Sequence, residues 1–379
     1  MPYKLLKVVF FSFGAAMASG CSWANDAEQQ PLILKVATPQ PDSPYRDAIL
    51  ALHAASHDPL DSNQLAEFRK LIERKGWPPV VSVGPQAVNA AGDLTLWASG
   101  DYALQEALEN VIYQRVDLDI NGSAFAYLND EIEIKHNGKQ QYGAFLSLQS
   151  GRVKVAPPVD VNAANFTRDL TGLPTVAEYV TDVQGQIDRG IPIKDAIVPP
   201  QLAGQSRTYA EPELRIQLGK MIEVDQDSRR SLVLEGSNPK KSDLDKLKVV
   251  DAANLIALKA IFEKVGFPTV AMVGRDGVST AFLLVQHADE DPAFQQRALT
   301  LAKPLAIRRE LPRREFAMLT DRVLIAEGKK QLYGTQAEIK GDHIYLMPVD
   351  DPSNLNIRRA SMSMGPESDY LKTLEKLQK

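Results

Sequence analysis

A histidine and several charged residues in the second half of the chain have types and spacing that suit acid–base chemistry. His287 stands between Gln286 and Asp289, and the pair Asp321-Arg322 follows further along. An imidazole oriented by a carboxylate can act as a general base toward water, and Asp289 and Asp321 are the carboxylates that we expect in this role. His287, Asp289 and Asp321 are therefore the catalytic candidates. The alternative is that His287 is a hydrogen-bonded residue of the core.

A predicted helix before these residues carries charge on an apolar face. Its residues at spacings of three or four share one stripe: Leu214, Leu218, Met221, Asp225 and Arg229. On this stripe Asp225 and Arg229 point toward the interior or its rim, and Arg229 together with Arg322 could hold an anionic group. The alternative is a surface ion pair at i,i+4, which contributes a few tenths of a kcal/mol.

Two other chemistries are less well supported by these residues. The spacing of His287, Asp289 and Asp291 also fits zinc or manganese ligands, but acidic residues commonly precede a helix as caps. We favour capping and predict no cofactor. The sequence contains no G-x-S-x-G, P-loop, H-E-x-x-H or dinucleotide motif, so an enzyme here would have to activate water.

The candidate residues belong to the second of two similar halves. Residues 73–84, 128–130 and 140–143 return as residues 263–274, 319–321 and 331–334, about 190 positions later. This spacing is typical of a domain-sized internal repeat. The second copy carries polar side chains where the first has apolar or small ones, as at Gln286 and His287 in place of Leu96 and Trp97.

The copy-to-copy comparison sorts residues into shared and unique positions. We interpret the shared pairs as fold-defining: Asp130 with Asp321, Gln140 with Gln331, and Tyr142 with Tyr333. For the helix around Asp225 the first copy offers no recognisable partner, only Lys35, Val36 and Pro39. The ligand-binding candidates are Asp225, Gln226, Arg229, Gln286, Arg322, Gln331, Tyr333, Thr335 and Gln336.

The fold class that we predict is mainly α (α+β), with two tandem homologous helical domains, each with a small β-hairpin near its C-terminal end. In the second domain Asp251 should cap a helix that Gly266-Phe267-Pro268 ends, and residues 278–288 should form a buried helix. Further helices should begin at Asp291-Pro292 and at Pro312. Residues 336–339 and 343–347 should pair as a hairpin that turns at Lys340-Gly341-Asp342.

The first residues indicate export. Lys4 and Lys7 precede a short apolar run at residues 8–18 and the small-residue site before Cys21, the only cysteine. We therefore predict a lipoprotein signal peptide at 1–20 with lipidation, such as palmitate, at Cys21. The alternative is ordinary cleavage after Ala24. The remaining boundaries are a tether at 21–44, repeat one at 45–182, a linker at 183–210 and repeat two at 211–378.

Localisation and partners follow from that reading. A lipid anchor at Cys21 would hold the protein to a membrane of the cell envelope facing the periplasm, the outer membrane in a Gram-negative cell; the alternative is a soluble periplasmic protein. The net charge of −5 becomes about −7 without Lys4 and Lys7, so we expect no nucleic acid as partner. With Cys21 acylated, thiol chemistry and disulfides are excluded.

Several short motifs of the second copy occur together in a known pattern: residues 225–229 (Asp-Gln-x-x-Arg), 266–268, 286–289, 321–322, 331–336, 348–352 and 358–359. This combination resembles an uncharacterised bacterial domain family, a domain of unknown function. The first copy resembles a degenerate member of this family. It lacks the Asp-Gln-x-x-Arg motif, the Gln-His-Ala-Asp motif and the final Thr-Gln. The resemblance implies the domain and no activity.

Two functions of different class remain open. We favour an exported lipoprotein that binds a small molecule or an envelope protein through repeat two. The alternative is a hydrolase or other acid–base enzyme that uses His287 with Asp289 or Asp321 and an activated water. A third interpretation makes the polar residues an internal hydrogen-bond network.

Overall fold

The computed structural model describes residues 32–197, 200–234, 240–340 and 343–378. Residue contacts divide this chain into a first unit that ends at Thr208 and a second unit that begins at Tyr209. The predicted signal segment and Cys21 lie outside the described residues. Within the described residues, no helix is both long enough and apolar enough to cross a membrane.

Both units are mainly helical, with one two-stranded antiparallel sheet each, which confirms the predicted fold class. The elements of the first unit are α1 (Ser43–Ala54), α2 (Ser62–Lys75), α3 (Val80–Trp97), α4 (Tyr102–Tyr113), α5 (Gly122–Asn137), β1 (Leu146–Gln149), β2 (Arg152–Val155), α6 (Val161–Leu170), α7 (Val176–Asp188) and α8 (Ile193–Ala196). Those of the second unit are α9 (Pro212–Leu234), α10 (Lys241–Val265), α11 (Val270–Gln286), α12 (Pro292–Ile307), α13 (Arg313–Ala326), β3 (Ala337–Lys340), β4 (His343–Leu346), a 3₁₀ turn (Pro352–Asn354), α14 (Leu355–Ser361) and α15 (Glu367–Gln378).

Local sequence signals account for the helix ends of the second unit. The Asp291 carboxylate accepts the backbone N–H of Phe294 at 2.9 Å and caps α12, with Pro292 at the first helical position. Pro312 precedes α13, and Gly266 ends α10 with φ of 72°. The hairpin β3–β4 pairs Ala337 with Leu346; the predicted turn at Gly341-Asp342 lies outside the described residues.

The helix α10 begins eleven residues earlier than the sequence predicted, with Lys240 rather than Asp251 at the N-cap position. Asp251, the expected N-cap, lies inside α10, and its carboxylate binds Arg229 of α9. Its counterpart 190 positions earlier, Asp61, does cap α2, where it forms a capping box with Gln64. The aspartate thus has a different role in each unit, because α10 extends beyond Asp251 toward the N-terminus whereas α2 begins just after Asp61.

The helix α9 has a counterpart in the first unit that the sequence comparison missed. α1 packs on α3 as α9 packs on α11, so α1, rather than the segment of Lys35, Val36 and Pro39, corresponds to α9. α1 has 12 residues and α9 has 23; α2 has 14 and α10 has 25. The second unit therefore lengthens both of these helices, and the added turns carry Asp225, Arg229 and Asp251.

Parts of the segments predicted as tether and linker pack on the first unit. Val36 pairs with Trp77 in an isolated bridge, and Leu32 and Leu34 contact the first core. In the linker, Leu202 is buried in that core, and the backbone N–H of Gly204 donates to the backbone oxygen of Asp119 at 2.8 Å.

Candidate functional site

The centre of the site is a carboxylate and an imidazole on two packed helices of the second unit. Asp225 lies on the buried face of α9 and is fully buried, and His287 is the residue that follows α11. His287 Nδ1 is 2.9 Å from the Asp225 carboxylate. The His287 side chain is 11% exposed, and among the described residues no hydrogen bond reaches its Nε2.

Burial and neighbouring charges set the protonation of this pair. Burial lowers the pKa of His287, as do the positive charges of Arg229 and Arg322, although the hydrogen bond to Asp225 acts in the opposite direction. Burial acts to raise the pKa of Asp225, but the hydrogen bond from His287 and the Arg229 charge outweigh it and leave that pKa lowered. A neutral imidazole therefore faces an ionised carboxylate.

The tautomer of His287 follows from this charge state. Arg229 Nε is 3.0 Å from Nδ1, which would require Nδ1 to accept, whereas the Asp225 carboxylate requires Nδ1 to donate. Arg229 also has both Asp225 oxygens at 3.3 Å as acceptors. Because an ionised carboxylate is the stronger acceptor, we assign the proton to Nδ1 and the lone pair to Nε2.

Further side chains fix the buried carboxylate and its arginine. Gln226 Nε2 donates to Asp225 at 2.9 Å, and Arg229 also donates to Asp251 on α10. Arg229 therefore lies between two carboxylates, where it holds α9 and α10 together. The contribution of Asp251 was missed because the sequence favoured a capping role.

The end of α11 is held by a second group of polar residues. Arg322 of α13 donates to the backbone oxygen of Gln286 at 2.8 Å and to Asp289 at 2.6 Å. Gln295 of α12 donates to the backbone oxygens of Val285 and Gln286. In the first unit Gln105 makes the same two contacts, to Thr95 and Leu96, so Gln295 belongs to the shared framework.

The side chain of Gln286 carries a buried donor. Its side chain is 4% exposed, and its Nε2 has no hydrogen-bond partner among the described residues. A buried amide donor without an acceptor costs about 1–3 kcal/mol, so a water or a ligand that accepts from Nε2 would stabilise this position.

Asp321 organises the loop before the hairpin. Its carboxylate accepts the backbone N–H groups of Leu332, Tyr333 and Thr335 at 2.7 to 3.0 Å. In the first unit Asp130 accepts those of Gln141, Tyr142 and Ala144, each at 2.7 Å. The two carboxylates thus perform the same structural task, as the shared positions indicated.

The remaining candidates surround that loop. Gln331 accepts the backbone N–H of Gln336 and donates to the backbone oxygens of Gln336 and Met347, much as Gln140 does in the first unit. Among the described residues, a hydroxyl donates to the buried aspartate in the second unit alone: Thr335 Oγ1 donates to Asp321 at 2.9 Å. Gln336 Nε2 donates to that hydroxyl. Tyr333 is half-buried.

The candidates therefore form three neighbouring groups. Asp225, Gln226, Arg229 and His287 are in direct contact; Gln286, Asp289 and Arg322 form the second group; and Asp321, Gln331, Tyr333, Thr335 and Gln336 form the third. Neither Asp289 nor Asp321 orients His287, because Asp289 binds Arg322 and Asp321 binds the loop amides. The third residue of the metal-like spacing, Asp291, caps α12 and pairs with Lys259.

Comparison with known proteins identifies the domain. The family of unknown function DUF6624 matches residues 42–188 and 212–378. No curated protein and no solved structure matches the chain. The two matched regions fall in the two units, and together they cover most of the chain. The protein therefore belongs to DUF6624, a family of unknown function, and carries two copies of its domain.

Proposed function

We propose that the second unit is an acid–base enzyme that hydrolyses its substrate with an activated water. The observation that carries this proposal is the contact between buried, ionised Asp225 and His287 Nδ1, which leaves the Nε2 lone pair without a protein partner among the described residues. A carboxylate that fixes the tautomer and orientation of an imidazole is the arrangement that makes histidine a general base.

The lowered pKa of His287 supports this role. A base must be unprotonated to work, and burial keeps the imidazole neutral at pH 7. Asp225 would stabilise the imidazolium that forms when Nε2 takes the proton of water. Such assistance contributes typically about 10²- to 10⁴-fold in rate.

The charges around His287 indicate the kind of substrate. Arg229 is paired with Asp225 and Asp251, and Arg322 with Asp289. The carboxylates in these pairs outnumber the guanidinium groups, which speaks against the anion clamp that the sequence indicated. An uncharged acyl or glycosyl bond fits this environment better than a phosphate.

The direct test is hydrolysis of a panel of chromogenic acyl esters, anilides, glycosides and phosphodiesters by the purified protein. We expect turnover of an uncharged member, with kcat/KM lowered at least about 100-fold in His287→Gln and in Asp225→Asn. The exposed pair His53–Asp93 of the first unit, with 2.9 Å between His53 Nε2 and the carboxylate, supplies matched controls. Equal activity in His287→Gln and His53→Gln would contradict the proposal.

Ligand or partner binding without chemistry is the second candidate, and Gln286 favours it. A buried amide donor that lacks an acceptor would gain one from a bound ligand. A ligand found by thermal-shift screening that binds His287→Gln as tightly as the natural protein, but Gln286→Leu more weakly, would support this candidate.

The envelope location is a separate proposal that rests on the sequence around Cys21. We propose a lipid anchor at this residue, with the membrane as partner, and no nucleic acid or cofactor. Metabolic labelling with palmitate should mark the natural protein and not Cys21→Ala. Label in both, or in neither, would contradict it.

A further inference from the structure

The first unit buries a group of acidic side chains between α4 and α5. Glu109 of α4 is 8% exposed and Glu133 of α5 is 4% exposed. Asn129, one helical turn before Glu133 and therefore on the same face of α5, donates from Nδ2 to Glu109 at 3.0 Å. Tyr102 and Asn137 donate to Glu133 at 3.3 and 2.9 Å.

These carboxylates are not neutralised by protein cations. Across the described ranges, no lysine or arginine forms an ion pair with Glu109 or Glu133. Half-buried Glu106 adds a third negative charge nearby. Buried carboxylates without a cation are costly, so the group either retains a proton or binds a positive ion.

Asn129 supplies an independent sign of a missing ligand. The residue is 7% exposed, and its Oδ1 has no hydrogen-bond partner among the described residues. Because Nδ2 of the same amide contacts Glu109, Oδ1 lies beside that carboxylate. A buried carbonyl oxygen that has no donor and lies beside a carboxylate offers a further oxygen ligand to a cation.

The electrostatics agree with this geometry. Burial raises the pKa of Glu109 to about 9, and the charge of Glu133 adds to the effect. The negative charge of Glu109 is therefore costly where it lies, and a bound cation would offset that cost.

The second unit shows that the fold does not require these groups. At the matching positions it has Leu299, Thr320 and Leu324. Leu299 packs against the second core. The polar set is thus a feature that the first unit has and the second lacks.

We propose that Glu109, Glu133 and Asn129 Oδ1 form a binding site for a hard divalent cation, Ca²⁺ or Mg²⁺, in the first unit. All three ligands are oxygens, which these ions prefer, and water can complete the coordination. The described chain has no group of three or more His, Cys, Asp or Glu placed to hold a metal; here the third ligand is a carboxamide. This site is independent of the hydrolase proposed for the second unit.

The intrinsic fluorescence of the full chain gives a selective readout. Trp77 and Trp97 lie in the first unit, and the sequence has no tryptophan after Trp97, so the change in emission on unfolding follows the first unit. Thermal unfolding would be followed with CaCl₂ or MgCl₂ at up to about 10 mM, well above the 10⁻⁴–10⁻³ M dissociation constants of extracellular calcium modules. An ionic-strength control would use KCl.

We expect one of the two ions, and not KCl, to raise the unfolding temperature of the first unit. Glu109→Gln should abolish the shift. Glu131→Gln, on α5 and with a side chain that is 41% exposed, should keep it. No shift with either ion, or an equal shift in Glu109→Gln, would overturn the proposal. Since the comparison of CaCl₂ and MgCl₂ with KCl uses the natural protein, it decides even if Glu109→Gln fails to fold.

Discussion

The two units share a framework and differ in where they bury charge. Both tie the loop before the hairpin to a buried aspartate, Asp130 or Asp321. The second unit then lengthens the α9–α10 helix pair and buries Asp225 beside His287, whereas the first unit keeps short helices and buries Glu109 and Glu133 between α4 and α5. A common fold thus carries two different polar sites, each at a place where the other unit is apolar or lacks the helix.

The largest expected effect tests the shared framework. Asp130→Ala and Asp321→Ala should each lower the free energy of unfolding of their own unit by about 3–5 kcal/mol, because three backbone N–H groups lose their acceptor. Tryptophan fluorescence follows the first unit, and hydrogen exchange by mass spectrometry follows both. If one substitution were harmless while the other unfolded its unit, the equivalence of the two carboxylates would be refuted.

The helices α3 and α11 are each kinked at a glycine. Substitution of these two glycines should destabilise the two units by different, smaller amounts. Gly84 and Gly274 have nearly identical backbone angles, with φ of 79° and 78°, in a region open to glycine alone. Gly84→Ala should cost about 1–3 kcal/mol from the backbone. Gly274→Ala should cost about 1 kcal/mol more, because a Cβ would lie 2.8 Å from the Arg215 guanidinium and 2.9 Å from the Tyr209 hydroxyl. Hydrogen exchange measures both, and a larger loss at Gly84 would contradict the account.

The smallest expected difference in stability is between the substitutions Asp61→Ala and Asp251→Ala. Asp61→Ala removes an N-cap and should destabilise the first unit by about 1 kcal/mol. Asp251→Ala removes an ion pair and no cap. Because ion pairs near the surface contribute little, the second unit should lose no more than about 0.5–1 kcal/mol of stability. Arg229 should nevertheless be held less firmly. The loss should appear as faster amide exchange at the end of α9. Equal protection of α9 in both proteins would argue against the Arg229–Asp251 link.

The framework was predictable because its signals are local. Gly266-Phe267-Pro268, Asp291-Pro292 and the paired motifs around Asp321 each fix a turn, a cap or a loop through contacts a few residues apart. The stripe from Leu214 to Arg229 likewise placed Asp225 on the buried face of α9. The prediction of a mainly α fold in two copies depends on these short-range patterns.

The partner of His287 was not predictable in the same way. Asp225 lies 62 positions before it and reaches it only because α9 packs on α11, whereas Asp289 is only two positions away in sequence. Asp251 is an aspartate, as is Asp61, which does cap its helix. The residues next to Asp251 therefore give no sign that α10 extends further toward the N-terminus. The Glu109 site did have a signal: Glu109 and Glu133 stand where the second copy has Leu299 and Leu324. Polar residues unique to the first copy are therefore as informative as those unique to the second.

The His287–Asp225 pair also predicts how stability depends on pH. Unfolded His287 binds a proton near pH 6.5, and the folded form binds it at lower pH. In that window the unfolded state holds more protons, so the free energy of unfolding of the second unit should fall as pH decreases below 6.5, by up to about 1.4 kcal/mol per unit. His287→Gln should remove this slope, which urea titrations between pH 5 and 7 followed by hydrogen exchange can measure; an unchanged slope would contradict the lowered pKa.

The most direct test of the central claim is the ¹⁵N NMR spectrum of the His287 imidazole between pH 4 and 8, assigned by comparison with His287→Gln. The account predicts a neutral ring at pH 7 with its proton on Nδ1, a pKa below 6.5, and a change of tautomer or of pKa in Asp225→Asn. A ring that is protonated at pH 7, or that carries its proton on Nε2 in the natural protein, would show that Nε2 has no lone pair to offer, and the general-base proposal would fail.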